Sequence, residues 1–184
     1  GQPLDLFVTV TDFRGHDEAL RLNSPPQVIE TEHRLVFPFT DHGDDRAPFA
    51  QAIELAFAAR ATSSFPGAFP PMTVGEIDAM AAERGLDWPG RDRFLQHMLP
   101  HQWAANRAEK AVLIDGAVLA NAPFRPAIDA LRERPARRQV DRRFVFIDPF
   151  PSFRFDFYGE QDAPPGFFQT IIGALSELPR EQPI

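Results

Sequence analysis

The chain has 184 residues, and 19 Lys+Arg against 26 Asp+Glu give a formal charge of −7. That length fits one ordinary domain, and 43% hydrophobic with 24% charged content is the composition of a globular chain. The acidity argues against nucleic acid as a partner, the absence of Cys excludes a disulfide scaffold, a thiol nucleophile and Cys-ligated zinc, and no apolar run reaches the roughly 20 residues that span a bilayer.

Leu4 to Phe13 is the first apolar run, with Leu6, Val8 and Val10 alternating against Phe7 and Thr9, and it predicts a strand closed by a turn at Gly15. His33 to Thr40 predicts a second strand, with Pro38 placing that end at a sheet edge. Asn23-Ser24-Pro25-Pro26 breaks the chain between them, so the two runs read as an extended hairpin. Phe49, Ile53, Phe57 and Arg60 recur at helical spacing, with Asp44 or Asp45 as the expected cap and a stop before Ser63-Ser64-Phe65-Pro66-Gly67. Thr73-Val74-Gly75-Glu76 fits a capping box opening a helix to about Arg84, with Gly85 as its stop. A further helix is expected from Arg91 to Leu99, ended by Pro100, so residues 73–108 read as a helical insertion.

Ala111 to Ile114 is short, apolar and continuous, as in a strand buried on both faces. Pro123 opens a helix through Ile128 and Leu131, and Arg132 to Arg143 holds six Arg in twelve positions. Phe144 to Ile147 reads as another buried strand, followed by an irregular Pro-rich stretch and a last helix from about Phe167 to Leu178. The alternation of strands and helices predicts an α/β fold, with a main unit over residues 1–148 and a Pro/Phe-rich extension over 149–184.

Two segments carry candidate chemistry. Asp115 follows a buried strand and precedes Gly116, the position at strand ends where open α/β sheets place their sites. There a carboxylate serves as a general base beside a nucleophile, or else it caps its own turn. Ala61 to Pro71 leaves a helix through two Pro-punctuated turns, so Ser63, Ser64 and Pro66 suit either a site wall or a helix end capped by hydroxyls. His97 and His101 are four apart, but Pro100 lies between them and no acidic third ligand is evident, so no metal site is expected. The Arg-rich stretch reads as a solvated connection, with an anionic lipid head group as the alternative contact. The Phe150 to Phe157 segment reads as an edge strand packed on another part of the protein.

Together these segments resemble the patatin-like acyl hydrolase family. Ala59-Arg60-Ala61-Thr62-Ser63-Ser64-Phe65-Pro66-Gly67-Ala68-Phe69-Pro70-Pro71 follows the family segment A-R-A-S-S-A-I-P-G-x-F-P-P. Leu113-Ile114-Asp115-Gly116-Ala117 with Asn121 and Pro123 follows its D-G-[GA] motif, and Leu6 to Asp12 resembles the strand before them. The stretch from Phe167 to Arg180 is similar to a bacterial subgroup, the patatin-related proteins. The resemblance implies part of a three-layer α/β/α sheet and a Ser–Asp dyad. In it Asp115 is the general base that deprotonates the nucleophilic Ser directly, Ser63, Ser64, Pro66 and Gly116 wall the substrate site, and no cofactor is needed.

The family's nucleophile lies in G-x-S-x-G, and none of Ser24, Ser63, Ser64, Ser152 and Ser176 has Gly two positions to either side. The Gly-rich oxyanion loop is also missing, and the chain opens on Gly1 rather than Met. The chain therefore reads as the C-terminal portion of a patatin-like domain, inactive alone, whose partners are a lipid or acyl-ester substrate and the rest of its own domain. Cytoplasmic location is expected, with contact at a membrane surface, and exposed sheet edges predict self-association. The rival expectation is a non-catalytic patatin-derived scaffold, and a third makes Ser63 or Ser64 the nucleophile.

Overall fold

Alternating apolar residues at the start of the chain form one arm of a long hairpin. A computed structural model describes residues 3–43, 49–120, 123–134, 138–145 and 147. In it β1 (Leu4–Arg21) pairs antiparallel with β2 (Gln27–Asp41). Leu6, Val8 and Val10 face Phe39, Phe37 and Leu35, so these six share one face of the sheet. Asp5, Phe7 and Thr9 lie on the other, against Thr40, Pro38 and Val36. β2 is an edge strand, which tolerates Pro38 because a missing N–H there costs no ladder bond.

Gly15 does not end the first strand. The ladder breaks between Thr11 and His16, where Asp12 to Gly15 oppose His33 alone, and then resumes to Arg21. Gly15 sits at φ +68°, and a Cβ there would lie 2.6 Å from Thr31 Cγ2. The turn signal is thus a bulge of several residues, which bends a strand without terminating it.

Helix α1 (Ala52–Thr62) begins at Gln51, whose N–H donates to the Glu54 carboxylate at 2.9 Å. That pairing satisfies an otherwise orphaned donor, so the helix starts well after Asp44 and Asp45, which lie outside the described residues. Ile53, Phe57 and Ala61 are buried at helical spacing, and Phe57 meets Phe94 edge-on at 5.3 Å between ring centroids. A short strand β3 (Met72–Thr73) leads into α2 (Val74–Glu83), which ends as expected near Gly85 at φ +60°. Thr73 sits at the N-cap, but the expected capping box does not form: Glu76 turns instead to Arg60, at 2.8 Å.

Helix α3 (Arg91–Met98) is followed at once by α4 (Pro100–Ala104). Pro100 ends the first helix and, occupying the first turn of the second, also opens the next, where its missing N–H is harmless. β4 (Val112–Asp115) pairs antiparallel with β1 and with β3, giving a four-stranded sheet in the order β2-β1-β4-β3. Helices α1 and α3 cover the Val10–Phe37 face, where Phe37, Phe57, Leu95, Leu99 and Leu113 are fully buried. A turn at Gly116–Val118 and helix α5 (Phe124–Ala130) lie along β1, and Arg134 pairs with Asp5 at 2.9 Å.

The fold is mixed α/β, as the alternation of elements predicts. Phe144 to Ile147 is a correction: its described residues form no strand, and Phe144, Val145 and Ile147 are 56, 77 and 82% exposed. An apolar run becomes a strand only where a neighbouring ladder receives it, and none of the four described strands pairs with this one. The extension and helix expected after residue 148 lie outside the described residues. No helix among the described residues is long and apolar enough to cross a membrane.

Candidate functional site

Asp115 is the last residue of β4, opposite Val10 of β1. Paired residues point to the same face, so its side chain emerges on the side that α1 covers. All the sheet's pairings are antiparallel, so the strand-end rule for parallel α/β sheets does not locate this residue. What locates it is Ser64: the Asp115 N–H donates to the Ser64 carbonyl at 3.1 Å. Two segments about fifty positions apart in sequence are joined by this one bond.

The Asp115 carboxylate is half-buried. Its Oδ1 accepts the Ala117 N–H at 2.8 Å, capping the 116–118 turn. Among the described residues no hydrogen-bond partner engages Oδ2. The turn-capping and site readings are therefore compatible, because one oxygen fixes the group and leaves the other.

Gly116 is buried against β1. A Cβ at this position would stand 2.3 Å from the Thr9 carbonyl carbon and oxygen. Its need is for close backbone approach, which brings the end of β4 onto β1.

Ser63 is exposed and Pro66 half-buried, whereas Ser64 is completely buried. The Ser64 hydroxyl donates to the Arg60 carbonyl at 2.8 Å and accepts from Arg60 Nη1. The hydroxyl both donates and accepts and the residue is sealed from solvent, so Ser64 clamps the end of α1. Arg60 also reaches the Pro70 carbonyl at 3.2 Å and the Glu76 carboxylate at 2.8 Å. One guanidinium thereby ties the end of α1, the 61–71 loop and the start of α2 together.

A second polar cluster was not foreseen from the residues. Asp12, 1% exposed, accepts from Gln102 Nε2 at 2.8 Å and from the Arg14 N–H at 3.0 Å. His33 Nδ1 lies 2.8 Å from the Asp12 carbonyl, which can only accept, so Nδ1 carries the proton. His16 is buried beneath His101, with ring centroids 4.2 Å apart and planes 16° from parallel. Burial holds the His16 imidazole below its ordinary pKa, with the neighbouring His101 adding to the effect. The available signal was a carboxylate within an otherwise apolar strand, which must be paired if buried.

His97 lies in the last turn of α3, while His101 belongs to α4 and stacks on His16. Among the described residues no group of three or more His, Asp or Glu side chains is placed to hold a metal ion. A cleft of about 770 Å³ opens beside Phe39, Phe49, Phe94 and His97. It touches neither Asp115 nor the 61–71 loop, and its walls are the end of β2, the residues before α1, and α3.

Over 145 residues, 78% of its length, the chain is 30% identical to a protein of Mycobacterium tuberculosis described as "Uncharacterized membrane protein Rv3479". The chain spans 12% of that relative's length. No family model matches the sequence. No solved structure matches it.

Proposed function

We propose that this chain is the Asp-bearing part of a patatin-like lipid acyl hydrolase, with part of that family's three-layer α/β/α architecture. The observation that carries the reading is the hydrogen bond from the Asp115 N–H to the Ser64 carbonyl, which unites the two segments on which the resemblance rests. In this mechanism a Ser supplied by a segment N-terminal to Gly1 attacks an acyl carbonyl. Its hydroxyl proton passes to Asp115 Oδ2 and then to the departing alcohol oxygen as the acyl C–O bond breaks. Asp115 next takes a proton from the water that hydrolyses the acyl-enzyme, which frees the carboxylic acid and restores the Ser hydroxyl. Ser63, Pro66 and Gly116 shape the surroundings of the dyad. Substrates are phospholipids or related acyl esters, and the setting is cytoplasmic, with contact at a membrane surface. The relative's description as a membrane protein supports the membrane contact alone.

A second reading, a non-catalytic patatin-derived scaffold, is favoured by the turn cap that Asp115 Oδ1 already provides. Ester hydrolysis by the protein extended upstream of Gly1 separates the two. Asp115→Asn lowers turnover about 10²–10⁴-fold if the carboxylate is the base. Turnover retained by the variant overturns the dyad, and the 184-residue chain alone hydrolyses nothing under this proposal.

A further inference from the structure

We propose that Arg60 is a positioning residue for Asp115, acting through Ser64. The inference rests on the hydrolase reading for its functional meaning, but its geometry stands alone. Arg60 occupies the last turn of α1. Its Nε donates to Glu76 Oε1 at 2.8 Å, its Nη2 to the Pro70 carbonyl at 3.2 Å, and its Nη1 to the Ser64 hydroxyl. The Ser64 hydroxyl returns a bond to the Arg60 carbonyl at 2.8 Å. Ser64 then offers its own carbonyl to the Asp115 N–H at 3.1 Å.

From guanidinium to Asp115 backbone the route is therefore two hydrogen bonds through one fully buried residue. Each contact restrains a different degree of freedom. The Ser64 hydroxyl fixes that residue's χ1, and the Pro70 and Glu76 contacts stop the 61–71 loop from sliding along α1. Asp115 is also anchored from the other side, by its Oδ1 on Ala117 and by Gly116 against Thr9. Held at both ends, the carboxylate keeps Oδ2 in one place. A lysine at position 60 could not reproduce this, because the argument needs donors in three directions from a planar group.

The test uses amide hydrogen exchange, read by NMR on the 184-residue chain. In Arg60→Gln and in Ser64→Ala the Asp115 amide exchanges about tenfold faster, the size set by one or two net hydrogen bonds. Amides of the β1–β2 hairpin keep their protection. Unchanged Asp115 exchange overturns the proposal, and so does a rise shared equally by the hairpin, which would mean general loosening. Should Arg60→Gln not fold, Glu76→Gln is read in its place. It frees the guanidinium from one anchor and raises Asp115 exchange selectively, whereas no rise overturns the proposal.

A functional arm uses the protein extended upstream of Gly1. There Arg60→Gln lowers kcat with KM unchanged and moves the acid limb of the kcat–pH profile, and Arg60→Lys does not restore it. A change in KM alone overturns the positioning role. The two ideas fail separately. Activity surviving Asp115→Asn removes the hydrolase reading and leaves the exchange result standing, while unchanged exchange removes Arg60 and leaves the dyad.

Discussion

Adding one methyl group at each of two glycines has opposite consequences in this fold. At Gly116 a Cβ would lie 2.3 Å from the Thr9 carbonyl carbon and oxygen and 2.5 Å from Thr9 Oγ1. Ordinary carbon contacts are about 3.5–4.0 Å, so the strand or the turn must move by more than about 1 Å. The obstacle is not a flexible side chain but the backbone of β1, held by β2 on one side and β4 on the other. Overpacking costs about 1–3 kcal/mol, and a backbone obstacle places Gly116→Ala at the upper end. For a chain of this size each kcal/mol lowers Tm by roughly 2–4 °C, so a fall of about 6–12 °C is expected. Gly75, in the first turn of α2, has nothing within 4 Å of its Cβ position. Gly75→Ala removes unfolded-state freedom at no steric cost and raises Tm by about 1–4 °C, from about 0.4–1 kcal/mol. The assay is thermal unfolding followed by near-UV circular dichroism, with Trp88 and Trp103 as reporters. Equal Tm values for the two variants refute the close-approach argument for Gly116.

Three other expectations follow from burial and charge. His16 is held neutral below its ordinary pKa, chiefly by burial, so its contribution is intact above about pH 6.5 and is lost as pH falls from there. A denaturant midpoint that falls as pH drops below about 6.5 in the parent but not in His16→Phe is the expected result, and identical pH slopes would count against it. Glu32 is held down to about 2 by its hydrogen bonds with Arg34, so its contribution persists to lower pH and disappears between its ordinary value and about 2. Phe57→Ala empties the contact between α1, Phe37 and Phe94 and costs about 3–5 kcal/mol; a loss below about 1 kcal/mol by urea titration would show that the core closes over the gap.

The hairpin was legible because β-sheet alternation is local: Leu6, Val8 and Val10 declare one face before any partner is known. The end of α2 was legible for the same reason, since Gly85 at positive φ acts on its own turn, whereas Thr73 marks the start as the N-cap residue without a side-chain cap bond. The bulge was not. Gly15 at positive φ is a turn signal in isolation, and only the return of the ladder at His16–Glu32 makes it a bulge. Phe144 to Ile147 failed in the opposite sense, because apolar composition states a willingness to pair and says nothing of a partner. Glu76 shows how a tertiary contact displaces a local one. A carboxylate three positions after Thr73 suits a capping box, but a guanidinium from the preceding helix offers a charge-assisted bond instead.

The candidate site divides along the same line. Asp115 could be singled out from its place after a short apolar strand, and Gly116 from its place beside it. That Ser64 is sealed, and that it presents its carbonyl rather than its hydroxyl to Asp115, depends on Arg60, which helical spacing places only on the stripe of Phe49, Ile53 and Phe57. The hydroxyl-rich 61–71 loop therefore contributes to Asp115 through its backbone. A site of this kind tolerates a change of Ser63 more readily than a change of Arg60, although Ser63 is nearer in kind to a catalytic residue. Under the proposed reading, chemistry at Asp115 is decided by whatever approaches Oδ2, which no described residue engages, and the chain's own part is to hold that oxygen still.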